Sequence, residues 1–186
     1  MPDIYIGLVH HPVYNKNKEI VTTSLTNLDI HDIARTSKTF ALKKYFIINP
    51  QPSQKEIFMR IKKFWQTDIA QEYNIARFNA FDIIEYVNSI TEAKEIIKEK
   101  STAEPKTFAT SARNFPNCTG YDRTKKIIAA SNSCLILFGT AHGLTEEVMK
   151  NCDYIIEKIK GRQDYNHLSV RSAIAITLDR IISDYK

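Results

Sequence analysis

Short apolar runs alternate with amphipathic stretches along the whole chain. Ile4–Val9, Tyr45–Asn49, Asp82–Val87, Lys106–Thr110, Cys134–Phe138 and Asp153–Ile156 are rich in β-branched or aromatic residues and end near Asn, Pro, Ser or Gly. That pattern predicts strands. Between them the apolar positions recur at helical spacing. Ser53 and Glu56 have the spacing of a capping box after Pro52, and Ile57, Ile61, Phe64, Trp65 and Ile69 follow as one expected buried stripe. Thr91 is the expected cap of another helix, with Ile96 and Ile97 inward and Lys94, Glu95, Lys98 and Glu99 outward. The last helix is expected from near Ser169 to about Ser183, with Val170, Ala173, Ile174, Leu178, Ile181 and Ile182 as its apolar stripe. Strands alternating with helices predict an α/β fold, a mostly parallel sheet with helices on both faces.

Composition narrows the class. At about 150 residues per domain, 186 residues predict a single domain over residues 1–186, and no repeat, linker or boundary interrupts it. Hydrophobic residues at 43% and charged residues at 25% are ordinary for a globular protein and argue against disorder. No apolar run approaches the roughly 18 residues of a membrane span. The opening MPDIYIGLVHHPVYN lacks a basic segment followed by a long apolar one, so no secretory leader is expected. Cys118, Cys134 and Cys152 are odd in number, widely spaced and without a CxxC pair. They read as reduced thiols of a cytoplasmic protein. The net charge of +5 permits an anionic partner such as RNA without requiring one.

In parallel sheets of this kind ligands sit beyond the carboxyl ends of the strands, so the loops carry the chemistry. Three loops stand out. In LILFGTAHGLTEEV, Gly139 ends an apolar strand and Gly143 precedes a helix expected near Leu144, which allows close backbone approach. It also reads as a tight strand-to-helix turn. Neither GxGxxG nor GxxxxGK[ST] occurs in the chain. In EKIKGRQDYNHLSVRSAIAI, Gly161 allows a turn, and Tyr165, Asn166, His167 and Ser169 sit at a helix entrance with free amides. Ser169 reads equally as a plain N-cap. In SLTNLDIHDIARTSKTFALKKYFIIN, a helix presents Ile30, Ile33, Ala34, Ser37, Phe40 and Ala41 inward. Asn27 and Asp29 lie at its start, and Arg35 two turns in. Taken alone, Arg35 reads as a solvated charge. The histidines match no zinc spacing, and no metal is expected.

These three loops, in this order, resemble the three motifs of the SPOUT superfamily of S-adenosylmethionine-dependent RNA methyltransferases. Thr26–Leu42 resembles the first motif, Leu135–Val148 the second and Ile156–Ile176 the third. GTAHGLTEEV and YNHLSVRSA are most similar to the small SPOUT domain found alone or attached to bacterial tRNA guanine methyltransferases. Ala41 stands where the first motif usually has Gly, and His142 where close relatives often have Trp. His167 and Leu168 replace the Asn-Val of the ribose-methylating subgroup, which leaves base and ribose both open as targets.

The resemblance implies a C-terminal trefoil knot, a homodimer, an RNA substrate (tRNA or rRNA) and S-adenosylmethionine as cofactor. It places the cofactor among Leu137, Phe138, Gly139, Thr140, Gly143, Ile156, Ile159, Gly161, Tyr165, Asn166, His167, Leu168, Ser169 and Val170. Arg35, oriented by Asn27, is the candidate for target-side chemistry, and Arg113 in TSARNF a second substrate residue. Two other readings stand beside the enzyme: a noncatalytic RNA-binding or assembly module that keeps this fold, and a nucleotide-binding α/β protein of different topology.

Overall fold

The computed structural model describes residues 2–163 and 165–183. The described residues form eight strands and eight helices, and six of the strands make one sheet of order β5-β4-β1-β7-β6-β8, parallel throughout. Its strands are β1 (Asp3–Val9), β4 (Lys44–Ile48), β5 (Ile84–Val87), β6 (Lys106–Ala109), β7 (Ser133–Gly139) and β8 (Tyr154–Ile155). Each expected strand is present, with ends moved by one or two residues. Asp82 instead caps the C-terminus of a helix. Asp153 lies just before β8, where its carboxylate accepts from the amide and hydroxyl of Thr107, each at 2.8 Å.

The central strands have both faces buried. Side chains alternate across a strand, so Ile6 and Leu8 of β1, with Cys134, Ile136 and Phe138 of β7, join one apolar cluster. Tyr5, Val9, Leu135 and Leu137 join the other. The first cluster is covered by α1 (Asn27–Thr39), α2 (Pro52–Trp65), α3 (Asp68–Tyr73), α4 (Ile75–Phe81), α6 (Tyr121–Ala129) and α8 (Val170–Ile182). The second is covered by α5 (Ile90–Ser101) and the short α7 (Glu146–Lys150).

Several local expectations are corrected. Gln51 flanks α2, and its side chain makes no capping bond. Pro52, with φ pre-set and no N–H to satisfy, takes the first turn, so Ser53 is already helical and no capping box forms. The inward face of α2 is Phe58, Trp65 and the half-buried Ile61. Ile57, Phe64 and Ile69 are 45%, 49% and 71% exposed. The stripe breaks because Thr67 caps a new helix, its hydroxyl accepting from the Ala70 amide. Ser89, not Thr91, caps α5 by accepting from the Glu92 amide at 3.1 Å. Glu92 in turn accepts from the backbone N–H and the side-chain amide of Asn88, the residue before the cap. Ala41 is exposed rather than inward, at a positive φ of 53° in the turn after α1. Leu144 is buried before α7, and Thr145 is the cap.

A hairpin of β2 (Val13–Tyr14) and β3 (Ile20–Val21) has no counterpart in the expected pattern. Two-residue strands are too short to show alternation. The hairpin lies against the turn after β7: Tyr14 N donates to Gly143 O, and His142 N to Tyr14 O.

Candidate cofactor and substrate site

Strands β1 and β7 are neighbours, yet the chain leaves them in opposite directions, toward β4 and toward β8 beyond β6. Such a reversal opens a crevice at the carboxyl ends of the strands. A cavity of about 710 Å³ lies there, within the roughly 300–1,000 Å³ of small-molecule sites. Its apolar wall includes Phe138, Ile156, Ile159, Leu168, Val170 and Ala173. Hydroxyls of Thr23, Thr26, Thr110, Thr140 and Ser169, and the charged side chains of Asp29, Arg113, Glu157 and Arg171, also line it.

Of the residues expected to meet a cofactor, Phe138, Gly139, Thr140, Gly143, Ile156, Ile159, Asn166, His167, Leu168, Ser169 and Val170 line this cavity. Leu137, Gly161 and Tyr165 do not. Pleat parity accounts for Leu137: Phe138 faces the α8 side, so Leu137 faces the α5 side. Gly161 and Tyr165 lie in the exposed segment leading to α8. Arg113 lines the cavity, whereas Asn27 and Arg35 are exposed on α1 and outside the lining.

Gly139 also serves the chain's own turn. A Cβ there would stand 2.5 Å from Leu144 N and 2.8 Å from Gly143 C, so the missing side chain makes room for the chain's own turn. Gly143 has φ +95°, and a Cβ there meets nothing within 4 Å; its demand is conformational.

The polar side is built from segments far apart in sequence. Thr26 caps α1: its hydroxyl accepts from the Asp29 amide at 3.1 Å and donates to Asp29 Oδ2 at 2.6 Å. Arg171, the second residue of α8, donates from Nη1 to Asp29 Oδ1 at 2.9 Å, and its Nε stands 3.3 Å from Asp32 Oδ2. Buried Asp29 thus ties the starts of α1 and α8 together across the cavity. Arg113 donates from Nη2 to Leu144 O at 3.3 Å and lies over the rings of Tyr14 and Phe115, at 5.8 and 5.5 Å. Glu157 Oε1 accepts from the Tyr121 amide at 3.1 Å, and its Oε2 pairs with Lys160 at 3.6 Å.

A hydroxyl relay runs along the floor. Thr140 Oγ1 donates to Val9 O at 3.1 Å, so Thr23 Oγ1, 2.6 Å away, is the donor to Thr140. His10 Nδ1, 2.8 Å from Thr23 Oγ1, must then carry the proton, an assignment made from the network. Burial lowers the His10 pKa to about 4, against the opposing influence of Asp29 and Thr23. His10 is therefore a neutral donor that fixes two cavity hydroxyls. Thr23, Asp29, Thr110, Glu157, Arg171 and Tyr14 were not among the expected site residues. A threonine or arginine just inside a helix or loop carries no distinguishing pattern when its partner is distant.

This donor set suits a molecule with a planar aromatic part, hydroxyls and a cationic head. Apolar walls take the ring, and carboxylates and hydroxyls take the polar groups. The residues present thus fit an adenosine bearing a charged tail. Among the described residues no His, Cys, Asp and Glu cluster could hold a metal ion.

A parallel α/β sheet with this crevice defines a nucleotide-type ligand-binding fold, and comparison with known proteins narrows it. A family model described as SAM-dependent RNA methyltransferase matches residues 3–183, and the chain belongs to that family. It is 39% identical to a tRNA (guanine-N(1)-)-methyltransferase of Oleidesulfovibrio alaskensis over 98% of this chain and 42% of that protein. The chain thus spans less than half the length of that relative. It is 35% identical to an uncharacterized protein of Aquifex aeolicus over 97% of this chain and 89% of that one. Among solved structures, the TrmH/SpoU tRNA-modifying enzyme of A. aeolicus superposes with a TM-score of 0.57 at 12% identity, covering 96% of this chain and 72% of that one. The fold is the SPOUT fold.

Proposed function

We propose that this chain transfers the methyl group of S-adenosylmethionine to a nucleotide of tRNA or rRNA, working as a homodimer of single-domain, knotted, cytoplasmic subunits. The observation that carries this reading is the cavity at the carboxyl ends of β6, β7 and β8, closed by the start of α8. Its relatives' name favours tRNA over rRNA. When bound, the cofactor would supply a sulfonium-activated methyl group to an acceptor nitrogen or oxygen, leaving the neutral thioether, with the acceptor's proton passing to solvent. The protein's task is alignment. Phe138, Ile156, Leu168 and Val170 hold the adenine, with Gly139, Thr140, Gly143, Ile159, Asn166, His167 and Ser169 around it. Asp29 and Glu157 face its polar groups. Arg113 meets RNA phosphate. Arg35 and Asn27 act on the target from the exposed face of α1, which a second subunit or the RNA itself brings to a cavity. Exposed Leu28, 58% accessible near the start of α1, supports an interface that includes that helix.

The test is transfer of labelled methyl from S-adenosylmethionine to total tRNA and rRNA from a strain lacking the protein. The expected result is incorporation into one RNA class, with a dimer mass by light scattering at micromolar concentration. Arg35→Ala should cut transfer about tenfold, roughly 1.4 kcal/mol of transition-state stabilisation, with cofactor affinity nearly intact. RNA binding with no transfer to any transcript would instead mark a noncatalytic module. Equal turnover by wild type and Arg35→Ala would remove Arg35 from the reaction.

A further inference from the structure

Tyr165 is 77% exposed, an unusual placement for a large aromatic side chain. Its ring lies 5.2 Å from that of His167, edge to face at 69°. His167 lines the cavity, whereas Tyr165 does not, so the pair starts at the cavity and leads outward from it. Asn166, between them, donates to Ala112 O at 3.4 Å and ties this segment to the loop bearing Arg113. That guanidinium is itself steadied against two rings and a carbonyl, and it lines the same cavity. An accessible aromatic pair and a fixed cation therefore flank one cavity.

The chemistry of these groups matches one ligand class. A nucleotide that presents an atom for methylation must leave its stack, and its base then needs a new planar partner. Aromatic side chains supply that partner without regard to sequence, and a guanidinium suits the adjoining phosphate. We infer that Tyr165, backed by His167, is a stacking site for an unpaired nucleobase of the RNA substrate beside the cofactor cavity, with Arg113 on the neighbouring phosphate. This inference rests on the RNA-methylating reading above. It assigns Tyr165 to the substrate rather than to the adenine of the cofactor.

The experiment compares wild type, Tyr165→Ala and Tyr165→Phe. Methyl transfer is measured against tRNA concentration, and S-adenosylmethionine affinity by calorimetry. Cross-links from 5-iodouridine-substituted RNA are mapped by mass spectrometry. Tyr165→Ala should raise KM for RNA about tenfold, equivalent to roughly 1.4 kcal/mol, with cofactor Kd changed less than about twofold. Tyr165→Phe should recover most of the loss, because the ring and not the hydroxyl stacks. Cross-links should fall on Tyr165 or His167. A cofactor Kd that rises in parallel in Tyr165→Ala would place the ring on the adenine and overturn the inference. So would an unchanged RNA KM, or cross-links confined to other segments. Wild type that neither binds nor methylates RNA would overturn the reading beneath it as well, which separates the two failures.

Discussion

Replacing Gly139 with Ala tests what holds the cavity's turn in place. The added methyl carbon would meet Leu144 N at 2.5 Å and Gly143 C at 2.8 Å. Both are backbone atoms, so no side-chain rotation relieves the clash. The turn is fastened on several sides: Thr140 N to Val9 O at 3.2 Å, Gly143 N to Thr140 O at 2.9 Å, His142 N to Tyr14 O at 2.9 Å and Tyr14 N to Gly143 O at 3.0 Å. Moving it strains or breaks some of these bonds. Overpacking of this kind costs about 1–3 kcal/mol, and each lost internal hydrogen bond about 1 kcal/mol more. The expected total is about 2–4 kcal/mol, or a fall in Tm of roughly 5–15 °C for a chain of this size. Gly143→Ala is the comparison, since its Cβ would meet nothing within 4 Å and only the φ of +95° resists. Its cost should be about 1–2 kcal/mol. Scanning calorimetry on both variants, with cofactor titration, separates the causes. A Gly139→Ala protein that melts within about 2 °C of wild type yet binds S-adenosylmethionine more than about tenfold weaker would refute the reasoning and return Gly139 to the ligand.

Three further outcomes follow from the same geometry. Folded His10 stays neutral down to about pH 4, whereas the unfolded chain takes up its proton near pH 6.5; its contribution is therefore complete above 6.5 and is lost as pH falls toward 4. Urea titrations should show His10→Asn losing roughly 2 kcal/mol less than wild type between pH 7 and 5, and equal losses would contradict the assignment. Burial pushes the Cys134 and Cys152 thiols up to about 11, so both should react slowly with Ellman's reagent at pH 8 in the folded protein, buried Cys134 more slowly than half-buried Cys152, and fast once it is denatured; prompt modification of Cys134 in the folded protein would contradict its burial. Arg171→Met leaves Asp29, whose side chain is 8% exposed, without its ion-pair partner, but Arg171 itself is 31% exposed and partly screened. A loss of about 1–2 kcal/mol is expected, reduced when Asp29→Asn is added, and additive losses would show that the pair is not coupled.

The strands were legible because each buried run is continuous and bounded by turn residues. The helix faces were less so. In α2 the apolar positions cover more of the circumference than the core can bury, so periodicity alone could not select Phe58 and Trp65 over Ile57 and Phe64. The site was readable where it is made of consecutive backbone, at the 138–143 turn and the 166–170 approach to α8. It was not readable where it depends on pairing across the chain. Arg171 and Asp29 are 142 positions apart. Tyr14 reaches Arg113 only because a hairpin with two-residue strands lies on the β7 turn. Leu137 lies outside the lining for a simpler reason: alternation along β7 sends Leu137 and Phe138 to opposite faces of the sheet.

The charged groups around the cavity bear on where target-side chemistry can come from. Asp29 is engaged by Thr26 and Arg171, Glu157 by the Tyr121 amide and Lys160, and Arg113 by Leu144 O and two rings. Each is fixed as a positioning group before any substrate arrives, and releasing one to move a proton would leave its partner unsatisfied. Methyl transfer tolerates this, because the leaving group is already activated and the protein need only align the acceptor. On the proposed reading, the group that acts on the acceptor then approaches from outside the lining, which is where Asn27 and Arg35 stand. An exposed arginine on α1 is idle in one isolated subunit and useful once another surface faces it. Cofactor affinity and turnover should accordingly respond to different residues, the first to the cavity lining and the second to the outer face of α1.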